Sequence, residues 1–306
     1  MTVVVEEPLA PAPDRPAPPR SLATWWVVPP LVVVLCFVVY PLLRVCLEST
    51  KPTDARPDSS PWVDVLGSQV FFDALWRTVA IAATSTLGCL ILGTFLAIVL
   101  AFVPFPGAHL VGRLIDTVLA LPSFLITLAF TFLYGSAGAV NAAIAGVTGD
   151  GAPMLDFLYT PAGVIAAEIT FFTPFVVRPL LASFAVLPRA QLDVAASLGA
   201  SPLRVLRTVV MPEAWPALMA GGSLVLLLTL NEFGIVLFTG AKGVMTLPVL
   251  IYTRGIVTFD LPGAAVIATV QIALSLALYV SYRVVFARVM QGRGKGDRDV
   301  VVDQAK

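Results

Sequence analysis

The chain has 306 residues, 58% of them hydrophobic and only 12% charged, with a formal net charge of zero. Soluble domains are near half apolar and a quarter charged, so this composition and a mean hydropathy of +0.91 exclude a water-soluble protein and place the chain in a bilayer. Zero net charge excludes the electrostatic footprint of a nucleic-acid binder. The three cysteines, Cys36, Cys46 and Cys89, offer neither a metal spacing nor a disulfide framework.

Residues 1–24 are rich in Pro and Ala and read as a disordered tail, without the apolar core of a signal peptide. A first apolar run, about residues 25–46, is long enough to span a bilayer, and Trp25 and Trp26 suit its interface. Residues 48–75 form a polar loop with room for short helices. A second span covers about residues 76–103 and is broken sharply by Pro104-Phe105-Pro106-Gly107; His109 falls in the short loop after it. A third span covers about residues 114–134. A Gly- and Ala-rich stretch with Asp150 and Asp156 leads to a fourth, about residues 162–184. A fifth covers about residues 217–239 and a sixth about residues 264–287, with a polar loop at 242–260 between them. The fold expected is all-α: a polytopic membrane domain of six helices over residues 25–290, followed by a flexible tail, 291–306.

Between the fourth and fifth spans lies a polar stretch, residues 188–216. Gln191 to Leu198 lack Gly and Pro and suit a short helix. Gly199 can take the left-handed conformation that ends it. Ser201 reads as an N-cap and Pro202 as the first residue of a second helix. Arg204 and Arg207 share a face of that helix, Leu203, Leu206 and Val210 give it an apolar side, and Pro212 is expected to stop it. The result is a helix-turn-helix elbow, apolar on one side and basic on the other. Such elbows also occur as generic loops in soluble proteins.

Six spans put both ends of the domain on one side. With the tails fall Arg15, Arg20, Arg113, Arg189, Arg204, Arg207, Arg283, Arg288, Arg293, Lys295, Arg298 and Lys306. The opposite side has Arg44, Lys51, Arg56, Arg77, Lys242 and Arg254, and Arg178 stays inside a span. The bias, twelve against six, makes the tails and the elbow cytoplasmic.

Ionisable groups inside spans are costly and usually face a cavity or a partner. At 1.5 Å per residue, Glu168, Glu232 and Gln271 fall roughly 8–10 Å below the outer edge of a core about 30 Å thick, with Asn231 beside Glu232. Two readings stand for this layer: it lines a translocation path, or it makes hydrogen bonds between helices. Arg178 lies deeper, within reach of the cytoplasmic face.

The elbow resembles the cytoplasmic EAA loop of permease subunits of binding-protein-dependent ABC importers. That pattern is Glu-Ala-Ala, three residues, Gly, and a Leu-Pro about a dozen residues later. Here Asp193-Val194-Ala195 takes the Glu-Ala-Ala place, Gly199 is the Gly, Met211-Pro212 stands for Leu-Pro, and Pro216 matches a following Pro. The acid is kept but shortened, and one Ala is Val. The resemblance implies a coupling helix that docks on an ATPase subunit through Asp193, Ala195, Gly199, Arg204, Arg207 and Pro212. It also implies the bacterial cytoplasmic membrane, a second permease (identical or homologous), two ATPase subunits that bind the ATP, and an extracytoplasmic binding protein. The run from Asn231-Glu232-Phe233-Gly234 to Thr246-Leu247-Pro248 is similar to permeases for 2-aminoethylphosphonate and, more loosely, for sulfate and molybdate. An acidic path suits an ammonium-bearing zwitterion better than a bare oxyanion. Iron and polyamine permeases of the same wider group remain alternatives.

No phosphate-binding Gly-rich loop is present, since Gly292-Arg293-Gly294-Lys295-Gly296 has the wrong spacing, and no nucleophile elbow or metal set is visible. No enzyme activity and no cofactor of its own are expected. An ATPase-independent secondary transporter would call for inverted repeats or midplane coupling residues and leaves the elbow unexplained. A scaffold without transport leaves the buried carboxylates unexplained.

Overall fold

The structure is a computed structural model that describes residues 25–52, 58–149 and 156–303; side chains of the last helix are described to 285 and at 287 and 288. The tail predicted at 1–24 and Asp150 lie outside these residues. Among the described residues all regular structure is helical. Of the described residues, those from Trp25 to Leu47 belong to one unit and those from Glu48 on to a second.

The first unit is essentially one helix, α1 (Trp25–Glu48). Its π turn at Leu35–Val39 ends two residues before Pro41. A widened turn there takes up the proline, whose ring would clash with the carbonyl four residues back in a regular helix.

The second unit begins with the short α2 (Pro61–Leu66) and the 34-residue α3 (Gln69–Phe102). α3 starts seven residues earlier than the apolar run suggests, because Ser68 caps it: the Phe71 amide donates to Ser68 Oγ at 3.4 Å. The chain continues through α4 (Ala108–Leu119), α5 (Ser123–Tyr134), α6 (Ala139–Thr148), α7 (Pro161–Phe172), α8 (Pro174–Ala185) and α9 (Arg189–Ser197). Then come α10 (Pro202–Leu230), α11 (Gly234–Thr239), α12 (Leu247–Val257) and α13 (Leu261–Asp303). α13 carries on past its apolar part, through most of the stretch read as a tail, since no proline interrupts it. His109 sits on α4 rather than in a loop.

Six helical runs are long and apolar enough to cross a membrane: Trp25–Glu48, Gln69–Phe102, Ser123–Thr148, Pro161–Ala185, Pro202–Leu230 and Leu261–Val285. Three are interrupted. The third breaks at Gly135–Gly138, between α5 and α6, and is itself separated from the preceding α4 at Pro122, which has an extended backbone. The fourth bends at Thr173-Pro174, between α7 and α8. The fifth stops at Asn231 and restarts at Gly234 as α11.

α8 packs on α3 and α10, which also pack on each other, and α7 closes against α3. Their contact is filled by Cys89, Ala97, Val176, Val177, Leu180 and Val225, all buried. A second cluster joins α2, α3, α12 and α13 through Val65, Phe71, Leu247, Leu250, Val266 and Ile267. Between the two, the Leu247 amide donates to the buried Thr78 hydroxyl at 2.8 Å, a polar tie of a kind favoured where no water competes.

Candidate functional site: the elbow and the intramembrane polar layer

The elbow forms as α9, a left-handed turn and the start of α10. Gly199 has φ +77°, and the Ala200 amide donates back to the Ala195 carbonyl at 3.1 Å, closing the helix in the manner glycine allows. Ser201 has the extended backbone of an N-cap, but its hydroxyl makes no cap bond. Pro212 does not end the second helix, contrary to expectation. The π turn at Leu206–Val210 comes two residues before it, as before Pro41, and the rod continues unbroken into the fifth span. The elbow's second helix and the fifth span are therefore one continuous rod.

Asp193, Arg204 and Arg207 are exposed, and Ala195 is half-buried. Leu206 and Val210 turn inward, whereas Leu203 is 73% exposed. Val194 (58% exposed) and Leu198 (83%) add to it. Beside them, Ala190, Val194, Leu198, Val209, Pro212 and Glu213 line an open groove of about 540 Å³. Apolar side chains are thus displayed between basic ones on a polar loop.

The second set of predicted residues meets inside the bundle. Gln271 Nε2 donates to the Leu230 carbonyl at 2.8 Å and to Asn231 Oδ1 at 3.3 Å. Asn231 Nδ2 donates to the Leu227 carbonyl at 2.8 Å and to Ser275 Oγ at 3.5 Å. Glu232 Oε1 accepts from the Ser123 hydroxyl at 3.0 Å and from the Ile235 amide at 2.8 Å. One turn back, the Thr229 and Thr86 hydroxyls lie 3.4 Å apart. Glu168 is 0% exposed. Ser85 approaches its carboxyl and the Glu232 carboxylate is within electrostatic reach, yet neither Glu168 oxygen nor Ser85 Oγ makes a hydrogen bond of good geometry. Asn231 is exposed, Glu232 is half-buried, and Gln271 and Glu168 are buried behind them.

Arg178 does not stand alone in its span. It pairs with Asp116 and donates to the Gly112 carbonyl at 3.0 Å, tying α8 to α4. Sequence reasoning passed over Ser123 and the break at Asn231–Phe233. The signal was present: Asn231 favours helix ends, and Glu232 stands three residues before the amide it caps.

The chain matches the family described as "Binding-protein-dependent transport system inner membrane component" over residues 90–291. It is 48% identical over 263 residues to a Salmonella paratyphi A protein provisionally named 2-aminoethylphosphonate transport system permease protein PhnU, covering 86% of this chain and 91% of that one. It is 30% identical over 256 residues to the sulfate transport system permease protein CysT of Salmonella typhimurium, covering 81% and 90%. Among solved structures, a bacterial ABC transporter involved in alginate import superposes with a TM-score of 0.76 at 16% identity, over 88% of this chain and 96% of that one; at this identity the likeness speaks for the fold. A six-span helical chain with this elbow, matched by the family over most of its membrane region, belongs to the binding-protein-dependent transport family as an inner-membrane permease subunit of an ABC importer and is not itself an enzyme.

Proposed function

We propose that this permease passes 2-aminoethylphosphonate, delivered by an extracytoplasmic binding protein, and that its elbow lies on the cytoplasmic side against an ATPase subunit. The observation that carries the substrate is the 48% identity to PhnU along nearly the whole of both chains, set beside 30% for the sulfate relative. The site chemistry agrees. Asn231 and Glu232 are the accessible members of the polar layer, with Gln271 and Glu168 behind them. Both hydrogen bonds recorded for the Glu232 carboxylate fall on Oε1, which leaves Oε2 for the ammonium group of a zwitterion.

In the assembled importer this chain pairs with a second permease, and two ATPase subunits receive the two elbows. Asp193, Arg204 and Arg207 make the polar contacts there, and Val194, Leu198 and Leu203 fill a groove on the ATPase. Because α9 joins α10 through a fixed turn and α10 runs on into the bundle, closure of the ATPases is transmitted to the spans.

The test is calorimetric titration of the binding protein that co-purifies with this chain, using 2-aminoethylphosphonate, phosphate, sulfate, molybdate, spermidine and thiamine. Selective binding of the aminophosphonate is the expected outcome. Selective binding of sulfate or molybdate would discard the substrate and leave the permease assignment untouched.

A further inference from the structure

We infer that Glu232, besides presenting Oε2 to the substrate as proposed above, uses Oε1 to pin the break between α4 and α5 to the break in the fifth span, so that α5 and α11 move as one body during transport. The two interruptions meet at a single oxygen. α5 begins at Ser123, immediately after Pro122, and α11 begins at Gly234, immediately after Asn231-Glu232-Phe233. The Ser123 hydroxyl and the Ile235 amide both donate to Glu232 Oε1, so one carboxylate caps the start of α11 and holds the start of α5.

The surroundings are built for this contact. A Cβ at Gly234 would lie 3.1 Å from Ser123 Oγ and 3.3 Å from Glu232 Oε1, so a side chain there would push the two helices apart. Further along, the Thr127 hydroxyl donates to the Ile235 carbonyl at 3.4 Å, and the rings of Phe124 and Phe238 are 5.4 Å apart.

The segments before the breaks are held elsewhere. α4 is tied to α8 by Arg178 through Asp116 and Gly112. α10 is packed on α8 and α3, and its end is bonded to Gln271 of α13. The near halves are thus held by α8, α3 and α13, whereas the far halves α5 and α11 pack on each other and both rest on α7. Breaks are where the backbone hydrogen-bond ladder is already open, so bending there costs least. Two hinges side by side give a single rotation only if their far halves are joined, and the Ser123–Glu232 bond joins them at the pivot.

The experiment uses the complete importer, with Cys36, Cys46 and Cys89 replaced and Phe124→Cys combined with Phe238→Cys. A short bifunctional thiol reagent is applied in proteoliposomes, and ATP-driven uptake of 2-aminoethylphosphonate is measured, or of sulfate should the binding protein select it. The cross-link is expected to form both with and without ATP and to leave uptake intact. A cross-link that stops uptake, or one that forms in neither state, overturns the proposal. In a second arm, Ser123→Ala is expected to lower substrate moved per ATP hydrolysed by about fivefold, the equivalent of one hydrogen bond, while Ser123→Thr retains the ratio. An unchanged ratio in Ser123→Ala overturns it as well. Neither arm depends on which ligand the binding protein prefers, so failure here and failure of the substrate assignment are distinguishable.

Discussion

At the scale of single residues, the contrast between Glu168 and Glu232 is the most instructive feature of the chain. Both are acids inside spans. Glu232 has two donors on one oxygen and is half-buried. Glu168 is wholly enclosed, and neither of its oxygens has a good hydrogen bond. An ionised carboxylate so placed would carry an uncompensated desolvation cost of several kcal/mol. A carboxyl so enclosed escapes that cost by holding its proton, and Glu168→Gln keeps the shape and the neutral state, so its thermal unfolding midpoint in the purified complex should stay close to that of the natural chain, with uptake within about twofold. Glu168→Ala should lose on the order of 2–4 kcal/mol by leaving a void, as large-to-small core changes do. Uptake abolished in a well-folded Gln variant would show that the carboxyl itself takes part in transport. Sequence spacing alone placed these residues at one depth, and the hydrogen bond from Gln271 to Asn231 and the electrostatic reach between Glu168 and Glu232 join them in one neighbourhood. Spacing did not separate the accessible acid from the enclosed one, because that depends on which helix covers which face.

At the scale of elements, the elbow was legible in outline and misread at its end. Gly199 supplies the turn, and the short helix before it falls within two residues of its expected bounds. Pro212 misled because proline normally halts a helix, costing about 3 kcal/mol in its interior. The π turn at Leu206–Val210 removes that clash and has no signature in local propensity. The left-handed backbone at Gly199 leads to a prediction. Val is strained in that conformation by about 1–2 kcal/mol, whereas Asn tolerates it. In Gly199→Val the chain should escape the strain by re-aiming α9 against α10, so ATP hydrolysis continues while transport per ATP falls severalfold; Gly199→Asn should behave nearly as the natural chain. Parallel assays of ATPase activity and uptake in proteoliposomes decide it, and tight coupling in the Val variant would remove the turn from the transmission path. The breaks at Pro122 and at Asn231–Phe233 were less legible. Each lies inside an apolar stretch that hydropathy reads as continuous, and only Pro122 in the one and the capping carboxylate of Glu232 in the other give them away.

For the whole molecule, the proposed coupling rests on which side of the membrane the elbow faces, and the charge distribution argues for the cytoplasmic side. Of the 19 Lys and Arg residues, twelve fall with the elbow and tails and six on the opposite side. Charges near span ends orient a polytopic chain because moving Lys or Arg across the bilayer is costly. Six apolar runs are long enough to cross, with the elbow between the fourth and fifth and α12 between the fifth and sixth. A cysteine at Ser197, in the last turn of α9, should therefore react with a membrane-impermeant maleimide only after cells are opened. A cysteine at Thr258, just after α12, should react in intact cells. Both positions are exposed, so failure of a reagent to reach them reports the membrane rather than burial. Labelling in the opposite sense would put the elbow out of reach of any ATPase and remove the basis for coupling, since the lever formed by α9 and α10 transmits force only from the side on which ATP is hydrolysed.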